Sequence, residues 1–300
     1  MKFAMTSWLV TALIALTMIG VVSPAARADR FDDFWHDGKA ELNGYSLRLS
    51  RYGQVRQGTA VMIFVTEPFS TSKRVKVNDA RANPADTFDA LKLNLVRDFQ
   101  TGIYDYNTMT SVFVHSSDFS PSKISFTSAE WCGQVYSEQV FGSRDIRSTY
   151  YSYFEDESSD GKIEYANGGV VEDNLFILLR GLRGDYLSPG ASREVRLLPS
   201  SISTRLWHKK LAWTTATIHR AHGTARTTVP AGSFDVTRYT VKIGDGRTGS
   251  FDIESAYPHR IIRWKLAPDV SGELLGSKRL VYWKLNHEGD EKYLKDLGLR

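Results

Sequence analysis

The chain has a single cysteine, Cys132, among 300 residues. A lone thiol cannot close an internal disulfide, so packing must hold the fold together. Charge of one sign is also scarce. The formal net charge is +4, and two of the cations, Lys2 and Arg27, lie in the first 28 residues. That balance is not the footprint of a nucleic-acid binder. Long apolar runs are missing too. The run from Trp8 to Val22 is broken by Thr11, Thr17 and Gly20, and it falls short of the ~18 apolar residues a membrane-spanning helix needs. No internal repeat is visible.

What is present begins with a targeting pattern. Lys2 precedes the apolar run. Pro24 and Ala26-Arg27-Ala28, an A-x-A cleavage pattern, follow it. The expectation is a cleaved secretory signal over 1–28 and an exported chain that starts at Asp29, periplasmic in a Gram-negative bacterium. No cysteine lies near the junction, which argues against a lipid anchor. Residues 29–300 read as one β-rich domain, with two packed halves near 29–165 and 166–300 as the alternative.

Short runs rich in Val, Ile, Thr and aromatics alternate with Gly, Ser and Thr, the signature of strands. In "GKAELNGYSLRLSRYG" the apolar parity switches at Gly44, which predicts a β-bulge. "TAVMIFVTE" is continuously apolar and should be covered on both faces. Leu91, Leu93 and Leu95 alternate, and a turn near Gln100-Thr101-Gly102 returns the chain to His115 as a hairpin. One segment has helical period. Val171, Leu175, Leu178 and Leu182 fall on one stripe of "VVEDNLFILLRGLRG", with Gly184 as a stop. "DEKYLKDLG" predicts a short C-terminal helix. The fold class is therefore mainly β: a large curved antiparallel sheet or incomplete barrel with one long covering helix. A membrane-spanning barrel is disfavoured by the unbroken apolar run at 60–65, the helical segment and the non-aromatic C-terminus.

"NLFILLRGLR", "SPGASREVRLLP", "VPAGSFDVTRYTVKI", "YPHRIIRW" and "GELLGSKRLVYWKL" follow in that order from Val171 to Leu285. This series resembles the exported bacterial β-rich proteins grouped as a domain of unknown function. The front half, with "FWHDGKAELNGYSLRLSRYG" and "EWCGQVY", is similar to a longer subgroup. Chains of this look are sometimes labelled Maf-type septum-formation inhibitors, but no active-site motif of that family stands here. The resemblance implies a curved sheet and an envelope location. It supplies no catalytic residue.

Candidate sites must come from the residues. A strand running through "SAEWCGQVYSEQ" would set Glu130, Cys132, Gln134 and Tyr136 on one face, a polar row able to line a sheltered ligand site. Cys132 would be a nucleophile only with a histidine base such as His115 or His259. Asp156, Ser158, Asp160 and Gly161 match positions 1, 3, 5 and 6 of a calcium loop. Asn167 replaces the closing glutamate, so a solvated turn is the better expectation. His219 and His222 would face apart on a strand, which disfavours a metal pair. Glu41, Glu67, Glu130 and Glu254 are the carboxylates available to a hydrolase. No cofactor is expected. The expected function is binding of a lipid or other amphipathic envelope molecule in the concave face of the sheet. An envelope hydrolase using Cys132 or paired carboxylates, and an assembly partner of other envelope proteins, are the alternatives.

Overall fold

Alternating apolar residues need a second surface to bury them, and this sheet supplies it by curling on itself. The structure, a computed structural model, describes residues 24–267 and 270–299. The expected signal therefore lies almost wholly outside the described residues. Helix α1 (Pro24–Trp35) opens the described chain, with Phe31 and Trp35 buried. An antiparallel meander follows: β1 (Ala40–Arg51), β2 (Gln54–Ser70), β3 (Thr87–Thr101), β4 (Tyr104–His115), β5 (Pro121–Glu130), β6 (Gly133–Phe141), β7 (Asp145–Ser152) and β8 (Ser159–Glu164). The chain then crosses over through β9 (Val170–Val171), a 3₁₀ turn (Glu172–Asn174) and α2 (Leu175–Leu178). It continues through β10 (Ser192–Leu198) and α3 (Ser201–Trp207). A second meander, β11 (Thr214–Val229), β12 (Gly232–Ile243), β13 (Thr248–Glu254), β14 (Ile261–Ala267) and β15 (Val270–Leu280), returns to pair with β1. The result is one open sheet of 15 strands with β8 and β9 at its edges.

The edges approach each other without pairing. Trp213, just before β11, donates its indole N–H to the Glu164 carbonyl at the end of β8, 2.9 Å away. One apolar cluster draws on both meanders, including Leu93 of β3, Phe176 of α2, Phe251 of β13 and Trp264 of β14. Phe176 meets the Phe251 and Trp264 rings edge-on at 5.4 and 5.6 Å. Each such side chain contributes about 1.5–3 kcal/mol on burial.

Several expectations hold. The register between β1 and β15 shifts at Gly44/Tyr45, where the bulge was expected. The glycine has a further reason: a Cβ there would lie 2.2 Å from the Leu297 carbonyl. The C-terminal segment therefore rests directly on the backbone of β1. It also covers the outer face of β2, where Val61, Ile63 and Val65 pack with Leu42 and Leu297. The hairpin β3–β4 turns at Gly102.

The long helix is corrected. Only Glu172–Leu178 is helical, as a 3₁₀ turn running into one α turn. Every residue from Val170 to Ile177 is buried, so the segment has no solvent face to complete an amphipathic helix. Its acids are paired inside instead, Glu172 with Arg247 and Asp173 with Ser201, and Gly181 at φ +61° ends the helical path. The C-terminal helix forms as a 3₁₀ helix, Asp290–Leu297. Among the described residues no helix is long and apolar enough to cross a membrane.

Candidate ligand-binding site

The hairpin tips of β1–β2, β3–β4 and β5–β6 lie at one end of the sheet. Tyr104 Oη donates to Tyr52 Oη at 3.1 Å, and the Tyr104 and Trp131 rings stand 6.4 Å apart. This geometry corrects the polar row. Strand β5 ends at Glu130, which pairs directly with Gly133 across a two-residue turn, Trp131-Cys132. Glu130 turns inward. Gln134 and Tyr136 are exposed on the outer face, and Cys132 is exposed at the tip. A turn, not a strand, connects them, so the parity argument across Cys132 does not apply.

The thiol has no histidine from either candidate. His115 is at the far end of β4, nine residues beyond Tyr106, the partner of Glu130. At ~3.4 Å per residue that is about 30 Å. His259 follows cis-Pro258 at that same far end, where its carbonyl accepts from Arg180. Burial lowers the pKa of both histidines and keeps them neutral.

The hydrolase carboxylates are also taken. Glu41 pairs with Arg180, Glu67 with Lys92, Glu130 with Arg205 and Glu254 with Arg260. Each is neutralised by its own cation rather than facing a second carboxylate. The calcium loop does not converge either. Asp160 Oδ1 accepts from Thr149, Ser158 Oγ bonds the Ser152 backbone, and Asp156 stands at φ +60° in the turn. Among the described residues no three His, Cys, Asp or Glu side chains gather as a metal site.

The inner face of β6–β8 borders a cleft. Cross-strand register sets it out in ranks. Phe141, Ile146 and Ile163 form an apolar rank, then Gln139, Ser148 and Gly161, then Ser137, Tyr150 and Ser159. A Cβ on Gly161 would meet nothing within 4 Å, so the middle rank is open on that side. Facing these ranks are Thr204 of α3 and the following His208 to Leu211, which enclose a cleft of about 260 Å³.

Local sequence explains why α3 stands there. Ser200 caps it, accepting from the Ser203 amide. Ser201 gives both its amide and its hydroxyl to Asp173 of the crossover. Arg205, buried, pairs with the inward Glu130 and lies 4.4 Å from the Phe154 ring centre. His208 closes the helix at φ +53° and bonds Glu157. Thus α3 is tied to the crossover, to β5 and to the turn before β8. Burial, then the Glu157 charge, push the Tyr150 phenol up to about 12, so it stays a neutral donor.

Of the expected residues, the cleft gathers Asp156 and Asp160 at its rim, and Glu130 positions its α3 wall through Arg205. Cys132, Gln134, Tyr136, His115 and His259 are elsewhere. Ser137, Gln139, Ser148 and Tyr150 were missed. Their signal was a run of polar residues at every second position on a strand face otherwise apolar.

No protein-family model matches the chain, and no curated protein matches it. Among solved structures, a β-barrel-like protein of a domain of unknown function (DUF1849) from Brucella abortus is similar over 81% of this chain and 98% of its own. It is 11% identical, with a TM-score of 0.49. A protein with a YmcC-like fold from Bacteroides fragilis, inferred to be exported, matches over 79% of this chain and 95% of its own, at 11% identity and a TM-score of 0.24.

Proposed function

We propose that this is a non-catalytic binding protein of the cell envelope, and that its ligand is a small hydroxyl-rich molecule such as a saccharide unit, held between β6–β8 and α3. The envelope location rests on the N-terminal pattern of Lys2, the apolar run and Ala26-Arg27-Ala28. The ligand class rests on one observation: the two inward polar ranks of Gln139, Ser148, Ser137, Tyr150 and Ser159 facing a cleft of about 260 Å³. Hydroxyls and an amide both donate and accept, which suits a polyol better than an acyl chain. A lipid would need the apolar part of the concave face. There Leu175, Phe176 and Ile177 of the crossover already fill the space between the meanders.

The test is calorimetric titration of the mature chain with mono- and disaccharides of envelope glycans, alongside native mass spectrometry of protein isolated from its own envelope. Tyr150→Ala should weaken binding about tenfold or more, since it removes both a ring face and a hydrogen bond. Binding untouched by Tyr150→Ala, or a co-purifying acyl lipid instead of a sugar, would sink the reading.

A second reading, an assembly partner, has one observation in its favour. Ile103, Trp131 and Tyr153 are 82%, 70% and 65% exposed at neighbouring hairpin tips. Cross-linking in intact envelopes through those tips, lost in Trp131→Ser, would support it over the first.

A further inference from the structure

The outward face of the second meander carries a shallow cavity of about 420 Å³ over β12–β15 and β1. Side-chain alternation dictates its lining. Tyr45, Leu47 and Trp264 point into the core, so Ser46, Arg48, Arg263 and Lys265 point out. Register sorts the outward side chains into two ranks. The first runs Arg238, Asp252, Arg263, Glu273 and Ser46 across five strands. The second, two residues further along each strand, runs Ser250, Lys265, Ser271 and Arg48 and reaches Gln57 on β2. Beneath them Trp264, fully buried, packs against Gly272, where a Cβ would lie 2.6 Å from its ring, so the floor is held from the core side.

The two ranks differ in charge. The first is paired within itself. Asp252 accepts from Arg238 at 2.6 and 2.9 Å and from Arg263 at 2.9 Å, and Glu273 lies 3.8 Å from Arg263. The second rank holds two exposed cations, Lys265 and Arg48, and no acid. Among the described residues neither forms an ion pair, while both acids of the lining already have one. The cavity therefore carries four cations against two acids, with its surplus in one rank. Lys265 and Arg48 flank Ser271 on the two neighbouring strands, so their backbones stand about 10 Å apart, two strand spacings. Side chains of their length span that gap and meet over a single anion above Ser271.

We propose that this face is a second binding site, for an acidic saccharide, with the sugar carboxylate held between Arg48 and Lys265. The planar arginine fork meets both carboxylate oxygens at once, and the lysine adds a point charge. Ser250, Ser271 and Gln57, spaced along the same rank, each donate and accept, which suits the hydroxyls of the sugars on either side. An anionic lipid surface fits less well, because the one large apolar side chain of the lining, Trp264, is buried and turned inward. The site does not depend on the β6–β8 cleft and shares no residue with it.

The experiment titrates the mature chain calorimetrically with trigalacturonate at fixed ionic strength. Its methyl ester, which keeps the hydroxyls and removes the charge, is the comparator. The acid should bind saturably and the ester about tenfold more weakly or less, the loss of a charge-assisted hydrogen bond. Raising the salt should weaken the acid alone, because the two cations are exposed. Arg48→Gln and Lys265→Gln should each weaken the acid by about tenfold with the urea midpoint unchanged, since neither side chain holds another part of the fold. Arg48→Lys should restore part of the loss. Tyr150→Ala, in the separate cleft, should leave acid binding as it is. Equal binding of acid and ester, or acid binding lost in Tyr150→Ala and kept in Arg48→Gln, overturns the proposal. So does sedimentation with phosphatidylglycerol vesicles in the absence of any binding to trigalacturonate.

Discussion

Two sets of acids flank α3, and their surroundings push them in opposite directions. On the crossover side stand Glu172 and Asp173, both fully inside the sheet. Burial raises the pKa of each, against the pull of Arg247 on Glu172 and of the Ser201 amide on Asp173. On the cleft side stands Glu157. Burial works to raise its pKa as well, but hydrogen bonds from Ser152 and His208 outweigh it and hold the carboxyl below its usual range. The difference separates two uses of charge. The crossover acids are costly as charges, yet each fixes the segment to one wall: Glu172 to Arg247, Asp173 to Ser201. Buried pairs of this kind are best understood as setting register rather than adding stability. Glu157 is stable as a charge and holds His208 at the cleft mouth.

Breaking the crossover side should have the largest effect. Arg247→Ala leaves Glu172, fully buried, without its cation. The expected cost is about 3–5 kcal/mol, read as a lower urea midpoint. The pair Glu172→Leu with Arg247→Met should recover most of that loss, because it removes the desolvated charges together. His208→Ala on the cleft side breaks a pair whose histidine is 42% exposed, and should cost only about 0–1 kcal/mol. Equal losses at the two sites would erase the distinction between them.

Acidity sharpens the same comparison with a smaller effect. A carboxyl whose folded pKa is raised binds more protons folded than unfolded, so its contribution declines as pH rises from its unfolded value through its folded one. Glu172 and Asp173 behave this way. Glu157 is the reverse: its contribution is present above the unfolded value, near 4.5, and is lost as pH falls through the lower folded value. Urea midpoints measured from about pH 3 to 7 should therefore respond differently to two substitutions. Glu172→Gln should remove a decline that lies above about pH 4.5, and Glu157→Gln a loss that lies below it. A common window for both would mean that burial does not separate the two sets.

Periodicity made most of the sheet legible. Leu91, Leu93 and Leu95 announced β3, the unbroken apolar run announced a strand covered twice, and Gly44 announced its bulge. These are local consequences of side-chain alternation. The candidate site was less legible, for two reasons. The turn at Trp131-Cys132 carries no residue that favours a turn. Its mark is Gly133, at φ +157°, where a Cβ would lie 2.3 Å from the Tyr153 ring. A strand running straight through it would set Gln134 and Tyr136 on the face of Glu130, whereas the turn sets them on the opposite, exposed one. The second reason is distance in sequence. Glu130 and Arg205 are 75 residues apart, and nothing local says that α3 will reach β5. The helical stripe of Val171 to Leu182 misled in a related way. Its apolar residues are buried by a sheet that surrounds them, so period did not imply a free polar face.

The smallest expected effect is at Cys132, and it tests whether the tip belongs to either charged region. The thiol is exposed, outside the cleft lining and far from His115 and His259. A surface substitution of this kind normally changes stability by no more than about 0.5 kcal/mol. Cys132→Ser should therefore leave the urea midpoint, its pH profile and saccharide binding as they are. In the wild type the thiol should react with a colorimetric disulfide reagent without denaturant, because access and not unfolding limits it. Tyr150→Ala should move binding without changing that reactivity. A loss of binding in Cys132→Ser would extend the site past the Glu130–Arg205 pair to the hairpin tip, and would place the lone cysteine among the residues that shape α3.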